Sequence, residues 1–385
     1  MNIKDYGEYA TARQKDYIQA YEELGSVIAV AEKLGVDKST VSYALKSVRD
    51  KAAKRGFAPE ADMSKGCPDG FKIKGVSTLY DNEGNPKIQW VKTSEDRERQ
   101  FELMQEAVEA LTKDLPKLPK RLKKKERLSK DYMAFYPLGD PHIGMLAWAE
   151  ETGQDWDLKI AQSAFLGVFD RLVKSAPKCE NAAIINLGDF FHYDNMEGVT
   201  TRSGHSLDVD GRYGKMVDVG IKIMRRLIES ALDHHGKVTV INAIGNHDDT
   251  SSIFMAQALS HIYEKEPRVI INKDQTPFHY IEFGNSAIGV HHGHTAKSMK
   301  LPGVMAADKP EMWGRTKYRH WYTGHIHHDT LTEYSGCTVE TFRTLAAKDA
   351  YATWGGYRAL QDSKCIVHHI KHGEVERHTI NLAAI

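Results

Sequence analysis

From about residue 131 onward, short apolar runs alternate with longer amphipathic stretches. The apolar runs have the length of strands, and the amphipathic stretches have helical periodicity. The predicted strands are 132–138, 182–187, 238–244, 278–283, 287–290 and 321–323, with a strand-rich tail at 365–380. The predicted helices between the first strands are 158–174 and 213–233. This alternation predicts an α/β layered domain in which ligands collect where the strands end.

The beginning of the chain follows a different, helical pattern over residues 11–56. Ala31, Gly35 and Val41 have the spacing of a helix-turn-helix, with Val41 and Leu45 anchoring the second helix. The start of that helix would present side chains to base edges or phosphates. The alternative interpretation is a small helical bundle with a solvated basic face. The predicted DNA-contacting residues are Lys38, Ser39, Thr40, Ser42, Lys46 and Arg49.

A segment of mixed character connects these two regions. Residues 71–93 predict a β-hairpin around a polar turn, and Ser94 is expected to cap a helix that runs to about Asp114. The basic stretch that follows predicts an exposed linker, which either contacts the phosphate backbone or keeps the protein soluble. The predicted organisation is a helix-turn-helix domain at 1–58, a hairpin-plus-helix segment at 59–114, a basic linker at 115–130 and the α/β domain at 131–385.

Charge and composition sharpen this division. The net charge of the 385 residues is zero, but residues 1–130 carry 26 basic against 21 acidic side chains, and all 19 histidines lie at or after His142. This asymmetry indicates a polyanion-binding module joined to a metal-binding one. The four cysteines form no CxxC pair, which argues against a zinc ribbon or a disulfide framework. Without a signal-like or membrane-spanning run, we expect a cytoplasmic protein that binds DNA, contacts no membrane and could form a homo-oligomer.

Five polar clusters stand directly after predicted strands. Together they supply carboxylate, imidazole and amide groups, a mixture that suits manganese, iron or zinc rather than calcium or magnesium alone. Their glycines would let the backbone turn sharply off each strand, so that the ligands converge on one edge of the sheet. The clusters are Gly139-Asp140-Pro141-His142, Gly188-Asp189-Phe190-Phe191-His192, Gly245-Asn246-His247-Asp248, His291-His292-Gly293-His294 and Gly324-His325-Ile326-His327.

The order of these clusters resembles the signature of the calcineurin-like metallophosphoesterases, over about residues 131–345. The resemblance implies a four-layer αββα domain with two divalent metal ions. Mn²⁺ is the expected metal, with Fe, Zn or Mg as alternatives. His292 is the expected ligand in the fourth cluster, because family members place the ligand directly before a glycine; His291 is the alternative. By this resemblance the first metal takes Asp140, His142 and His327, the second takes Asn246, His292 and His325, and Asp189 bridges the two.

The third cluster suggests how catalysis would proceed. Two cations that share a carboxylate and a water would acidify that water, and the resulting hydroxide would attack phosphorus. His247 adjoins the ligand Asn246 without being needed as a ligand, which suits it to protonate the leaving oxygen. Asp248 is expected to orient the His247 imidazole. The resemblance assigns His247 the same role.

The second cluster bears on the substrate. Phosphoprotein phosphatases of this superfamily follow Gly-Asp with an Asp-Arg-Gly whose arginine grips a phosphomonoester, and the sequence after Asp189 lacks it. The cluster resembles instead the Gly-Asp-x-Phe-His of SbcD-type DNA-repair nucleases, so His192 is the predicted substrate-positioning residue. A histidine that only supports the ligands is the alternative. The polar segment 193–213, which includes Arg202, is a candidate lining of the substrate groove.

Taken together, the sequence predicts a metal-dependent DNA phosphodiesterase, a nuclease, with catalytic His247, Asp248 and His192. One alternative is a metallophosphatase or small-molecule phosphodiesterase whose first domain serves assembly. The other is a DNA-binding regulator with an inactive metallo-domain. Phosphoesterases joined to DNA-binding domains are a pattern associated with bacteriophages and bacteria, an analogy that carries no mechanism. Histidines without the strand-and-glycine context are expected at the surface; they are His234, His235, His368, His369 and His372.

Overall fold

The computed structural model describes residues 3–54, 57–58, 63–64, 71–80, 86–96, 99, 128–200 and 204–385. The chain divides into two compact units, Met1–Ala110 and Leu111–Ile385. The domain boundaries expected from the sequence stay predictions. Most of the helix expected up to Asp114, the linker up to residue 127, the hairpin turn 81–85 and Arg202 lie outside the described residues.

The first unit begins with a 3₁₀ turn and three helices. The bounds are Ile3–Tyr9 for the turn, and Ala12–Leu24 (α1), Val27–Leu34 (α2) and Lys38–Lys54 (α3) for the helices. Helix α2 ends at Gly35, whose φ of +63° lies in the left-handed region that glycine tolerates at a helix end. The Asp37 side chain then accepts the Ser39 N–H at 2.7 Å and begins α3. Glycine and aspartate therefore set the connection between α2 and α3.

A small apolar core holds these helices together. Val41 and Val48 of α3 are fully buried, and they share the core with Val30 and Ala31 of α2. Leu45 is also buried. The opposite side of α3 is polar and exposed, so this helix has one core face and one solvent face.

Four strands follow in the described first unit. Two residue pairs form a short bridge, and two longer strands form the expected antiparallel hairpin. The strands are Phe57–Ala58 (β1), Met63–Ser64 (β2), Phe71–Tyr80 (β3) and Pro86–Glu95 (β4). The prediction that Ser94 caps a helix is wrong, because Ser94 lies in β4 and pairs with Lys72. Asp96 instead accepts the Arg99 N–H, at 3.3 Å.

Two sheets form the centre of the second unit. The six-stranded sheet has the order β15-β14-β5-β6-β7-β8, and β5 to β8 run parallel. Its strands are Ser129–Leu138 (β5), Cys179–Asn186 (β6), Lys237–Asn242 (β7), Val269–Ile271 (β8), Asp362–His369 (β14) and Gly373–Asn381 (β15). The five-stranded sheet has the order β12-β13-β11-β10-β9. Its strands are His279–Phe283 (β9), Ser286–Val290 (β10), Tyr318–Thr323 (β11), Thr330–Tyr334 (β12) and Cys337–Thr341 (β13).

Helices cover the outer face of each sheet. Their bounds are Ala149–Thr152 (α4), Leu158–Ser175 (α5), Tyr213–His234 (α6), Ser251–Ile262 (α7), Leu301–Asp308 (α8), Pro310–Arg315 (α9) and Ala350–Trp354 (α10). Short 3₁₀ turns lie at Ser298–Lys300 and Leu382–Ala384. None of the described helices is long and apolar enough to cross a membrane.

Alternation along β5 shows how the layers pack. Tyr136 faces the core shared with α5, α6 and α7, whereas its neighbour Phe135 faces a core shared with the five-stranded sheet. On the far side of the five-stranded sheet, Trp321 packs against Met305 of α8. The layers are therefore helix, sheet, sheet and helix, which confirms the predicted α/β class and the αββα arrangement.

Buried charges join the two sheets at one edge. Glu340 of β13 is 4% exposed, and Arg377 of β15 donates to its carboxylate with an Nη2–Oε2 distance of 2.9 Å. Lys364 of β14 lies 3.7 Å from Glu340 and donates to Asp329 at 2.7 Å. Because these groups are removed from water, each depends on its partners.

The expectation that His235 and His368 lie at the surface is wrong. Both are buried, and the Tyr136 hydroxyl lies 2.7 Å from His235 Nε2, whereas the Tyr322 hydroxyl lies 3.1 Å from His368 Nε2. His368 also contacts the Ser286 hydroxyl, at 3.0 Å. Burial lowers the pKa of each imidazole to about 3, so both are neutral groups of the core.

Candidate metal centre

The five polar clusters lie directly after β5, β6, β7, β10 and β11. Three of these strands belong to the six-stranded sheet, and two belong to the five-stranded sheet. Within each sheet these strands are parallel, so their carboxyl ends meet at one edge. The fold thus brings together loops that are far apart in the sequence.

Two groups of side chains at this edge could each hold a metal ion, and in each group the ligand atoms lie within 4.8 Å of one another. In the first group, the Nε2 atoms of His142 and His327 are 3.1 Å apart, and His327 Nε2 lies 3.4 Å from Asp140 Oδ1. Two imidazole nitrogens at this distance require a proton or a cation between them. The first group is Asp140, His142 and His327, and the second is Asp189, His292 and His325.

Asn246 completes the predicted set. Its Oδ1 atom lies 3.0 Å from His292 Nε2, and that nitrogen is 3.1 Å from Asp189 Oδ2. His292 Nδ1 donates a hydrogen bond to the Leu187 carbonyl at 2.8 Å, so its Nε2 is directed at the centre. His291 points elsewhere, towards the Pro277 carbonyl. The structure thus brings His292, and not His291, into the second group.

The two groups adjoin each other. His292 Nδ1 lies 3.9 Å from Asp140 Oδ1, which places a residue of the second group beside one of the first. Both carboxylates are held by the backbone of another cluster. The His325 N–H donates to Asp140 at 2.9 Å, and the His247 N–H donates to Asp189 at 2.8 Å. The carboxylates are therefore oriented without any ion.

Backbone strain is concentrated at this edge. Among the described residues, five that are not glycine have φ in the left-handed region, and all five are predicted ligands. Such a conformation costs about 1–2 kcal/mol for each residue with a Cβ. Strain of this kind indicates a functional site. The residues are Asp140 (+41°), His142 (+43°), Asp189 (+50°), His325 (+74°) and His327 (+58°).

The glycines of the clusters provide space for ligands of other clusters. A Cβ on Gly324 would lie 2.5 Å from Asp140 Oδ2, and one on Gly188 would lie 2.6 Å from His292 Nδ1. A Cβ on Gly245 would collide with the Asp189 carboxylate. Only Gly188 of these three also has a positive φ, of +100°. At Gly245 and Gly324 the close approach of a carboxylate is therefore itself a reason for glycine, beyond the predicted turn.

Electrostatics favour a cation at this position. Burial disfavours protonation of His292, but the Asp189 carboxylate outweighs this effect and raises the His292 pKa to about 9. Burial likewise favours neutral Asp189, but His292 outweighs it and holds the pKa of Asp189 well below its usual range. Burial and the neighbouring His247 hold the pKa of His142 well below its usual range. A buried carboxylate pair surrounded by imidazoles fits a divalent metal.

His247 is half-buried beside the first group. Its Nδ1 lies 2.8 Å from the His192 carbonyl, to which it donates, and Nε2 is the nitrogen left to exchange a proton. The prediction that Asp248 orients this imidazole is wrong. Asp248 is fully buried and accepts the backbone N–H groups of Asp189, Phe191 and Gly245, at 3.2, 3.1 and 3.2 Å. It therefore holds the second and third clusters together.

His192 lies deeper than a substrate-contacting residue would. It is 1% exposed, and its Nδ1 is 3.1 Å from His142 Nδ1. Its ring stacks on that of His247, with centroids 5.6 Å apart. His142, His192 and His247 form a third group that could hold an ion. This position fits a residue that orients His142 and His247, and it does not support direct contact with a substrate.

One further residue near the centre was not apparent from the sequence. The Thr344 hydroxyl donates to the Asp140 carbonyl at 2.6 Å and so supports the loop that carries this proposed ligand. No motif marks Thr344, because its partner is 204 residues away. His328 is exposed and contacts the carbonyl of Ile326 in its own loop.

The predicted DNA-contacting residues belong to the first unit. All of them are exposed and most lie along one side of α3. The Ser39 hydroxyl contacts the Asp37 carboxylate, so this side chain already has a partner. Contact with DNA stays a prediction. The residues are Lys38, Ser39, Thr40, Ser42, Lys46 and Arg49.

No family model and no curated protein matches the chain. Solved structures that align with it include YfcE, a phosphoesterase from E. coli, at 15% identity and a TM-score of 0.33, over 65% of this chain and 100% of that one. A predicted phosphoesterase from Streptococcus pneumoniae TIGR4 aligns at 10% identity and a TM-score of 0.29, over 66% and 99% of the two chains. Vps29 from Entamoeba histolytica, solved with Zn²⁺, aligns at 13% identity and a TM-score of 0.28, over 65% of this chain and 99% of that one.

Likeness at this level establishes neither family nor activity. The fold and the side-chain geometry define the class of protein at a coarser level. The chain is an α/β protein whose second unit carries His/Asp groups able to bind divalent metal at the carboxyl ends of parallel strands.

Proposed function

We propose that this chain is a metal-dependent phosphodiesterase that acts on DNA, a nuclease of the calcineurin-like metallophosphoesterase superfamily. The observation that supports it most is the pair of adjoining donor groups, with a half-buried histidine beside them. A pair of metal sites next to a proton donor is the equipment that phosphoester hydrolysis needs.

The proposed metal ligands are the residues that converge in the structure. The Nε2 atom of His292 is directed inwards by the hydrogen bond from its Nδ1 to the Leu187 carbonyl. Bound there, two divalent ions would neutralise phosphate charge and make a water nucleophile more acidic. The mixed oxygen and imidazole donors suit Mn²⁺, with Fe, Zn or Mg as alternatives. One ion would be held by Asp140, His142 and His327, the other would be held by Asn246, His292 and His325, and Asp189 would be the shared ligand.

His247 is the proposed general acid. Its Nδ1 proton is held by the His192 carbonyl at 2.8 Å, so Nε2 can deliver a proton to the oxygen that leaves phosphorus. His192 acts as a positioning residue, because it fixes His247 through this carbonyl and contacts His142 through its ring. Asp248 supports both through the loop that it fastens.

A diester is favoured over a monoester by the composition of the centre. The donor groups consist of histidines, aspartates and one asparagine, and Asp189 is followed by Phe-Phe-His rather than by an arginine motif. None of these donor residues is an arginine, so none offers a phosphate dianion the two-pronged partner that a guanidinium would provide. Two alternatives stay open. One is a metallophosphatase or small-molecule phosphodiesterase, and the other is a DNA-binding regulator with an inactive metallo-domain.

DNA is the proposed polymer because of the first unit. Lys38, Lys46 and Arg49 lie exposed on α3, and the start of this helix carries further polar side chains. Basic side chains on a helix provide phosphate contacts whose strength depends on salt.

The test is digestion of labelled single- and double-stranded DNA with Mn²⁺, with a chromogenic phosphomonoester in parallel. We expect DNA cleavage that exceeds monoester hydrolysis. Asp189→Ala should lose both metals and activity, whereas His247→Ala should keep both metals and lose about 10²–10⁴-fold in rate, the usual worth of general acid catalysis. His261→Ala, which changes an exposed histidine of α7 outside the five clusters, is the matched control.

Metal content, measured by mass spectrometry, separates these roles. A His247→Ala protein stripped of metal would show that His247 is a ligand. Faster hydrolysis of the monoester than of DNA would favour the phosphatase. Intact metal content without hydrolysis of any ester would favour the DNA-binding regulator.

A further inference from the structure

A cavity of about 280 Å³ opens beside the first donor group. One of its walls is His327, the proposed metal ligand, and another is the segment around α10. Its size lies just below the usual range for drug-sized ligands, so it can take one small organic group. It therefore adjoins the centre at His327 and has room for part of a substrate.

Most polar groups around this cavity are already engaged within the protein. Gln361 donates to the Leu345 carbonyl at 2.8 Å, and the Asn381 side chain accepts the Ala383 N–H at 2.8 Å. Lys348 also lines the cavity, and among the described residues its ammonium makes no hydrogen bond or ion pair. An unpaired cation beside a metal centre suits a phosphate group.

The remaining walls suit the flat face of a base. Tyr357, Ala359 and Leu360 line the cavity and are exposed, with Tyr357 51% exposed and Leu360 60%. Base stacking on an aromatic ring is a general mode of binding for unpaired nucleotides and is tolerant of sequence. Aromatic and apolar walls with one cation match a nucleotide better than a sugar or a peptide.

The cavity and the proposed general acid lie at different ends of His142. His327, which borders the cavity, contacts His142 Nε2, whereas His192, on which His247 stacks, contacts His142 Nδ1. The group that leaves towards His247 is therefore not the group that enters the cavity. The part of the substrate that lies in the cavity would belong to the nucleotide that stays bonded to the phosphate after cleavage.

We propose that this cavity binds one unpaired nucleotide next to the scissile phosphate, with its base against Tyr357 and its neighbouring phosphate at Lys348. The inference rests on the proposed function and extends it from DNA to single strands and frayed ends. A base pair would not fit a cavity of about 280 Å³, so a duplex must open before its nucleotide can enter.

The experiment compares two substrates with Mn²⁺ bound. One is a short single-stranded oligonucleotide, and the other is methyl 4-nitrophenyl phosphate, a diester whose retained arm is a methyl group with no ring to stack. Tyr357→Ala should lower kcat/KM for the oligonucleotide about 5- to 100-fold, the worth of one stacked base, and leave that for the chromogenic diester unchanged. Ala359→Trp, in an exposed loop, should do the same by filling the cavity. Tyr351→Ala, an 80% exposed tyrosine outside the cavity, is the matched control.

A second readout avoids catalysis. In EDTA, deoxyadenosine 5′-monophosphate should bind the wild type more tightly than Tyr357→Ala or Lys348→Met, measured by calorimetry. Equal affinities, equal losses on both substrates, or unchanged oligonucleotide cleavage would each overturn the cavity proposal. A wild-type protein that cleaves no diester would instead refute the proposed function, so the two failures are distinguishable.

Discussion

Gly324→Ala tests whether the centre depends on close packing between clusters. A Cβ at this position would lie 2.5 Å from Asp140 Oδ2, whereas ordinary contact begins at 3.4 Å. The carboxylate must therefore retreat by roughly 0.9 Å, and Asp140 is fully buried and held by the His325 N–H at 2.9 Å. The backbone of Gly324 is outside the left-handed region, so alanine adds no strain of its own.

The expected magnitude follows from this displacement. A shift of about 1 Å in a catalytic constellation costs about 10²-fold in rate, and overpacking costs about 1–3 kcal/mol of stability. Gly303→Ala is the control, because this helical glycine has nothing within 4 Å of the added Cβ. The assay measures metal content, the rate on a chromogenic diester and urea unfolding. A Gly324→Ala protein with full metal content and a wild-type rate would refute the reasoning.

Three further predictions concern the first unit and the core. Lys46→Gln should reduce the slope of log binding constant against log salt concentration for DNA by about 0.9. Lys33→Gln is the control and should leave the slope unchanged, because the Lys33 ammonium pairs with Glu23. An unchanged slope for Lys46→Gln would exclude Lys46 from the interface. Arg377→Ala should lower the free energy of unfolding by about 1.5–3 kcal/mol, because buried Glu340 loses the hydrogen bonds from Arg377 and keeps only Lys364, at 3.7 Å. Restoration by adding Glu340→Gln is the check, and no loss would contradict the prediction. Burial holds the pKa of His368 at about 3 in the folded protein, below the value of 6.5 in the unfolded chain. The contribution of neutral His368 to the free energy of unfolding is therefore complete above pH 6.5 and decreases as the pH is lowered. Between pH 7.5 and 5.5 the wild type should therefore lose about 1.4 kcal/mol more than His368→Gln in urea unfolding, and parallel losses would disprove this.

The sequence predicts the periodic parts of the second unit well. The helix expected at 158–174 is Leu158–Ser175, and that expected at 213–233 is Tyr213–His234. Strand and helix periods are local, so they can be read without knowing the contacts. The cluster positions follow for the same reason, because each stands at the end of an apolar run.

What the sequence does not reveal depends on contacts between distant residues. Asp248 adjoins His247 in the chain, yet its carboxylate binds backbone N–H groups of another loop. His368 has no motif around it, and its burial depends on Tyr322, 46 residues away. Ser94 has a favourable capping side chain, but pairing with β3 places it in a strand instead.

The left-handed backbone at five ligands has a consequence for protein engineering. At about 1–2 kcal/mol each, these conformations together oppose folding by about 5–10 kcal/mol. A designer who copied only the seven side chains onto another open sheet would place them on relaxed strand ends, and they would point in the wrong directions. The smallest transferable unit is therefore the set of strand–loop junctions, each with the glycine that makes room for a ligand from another junction.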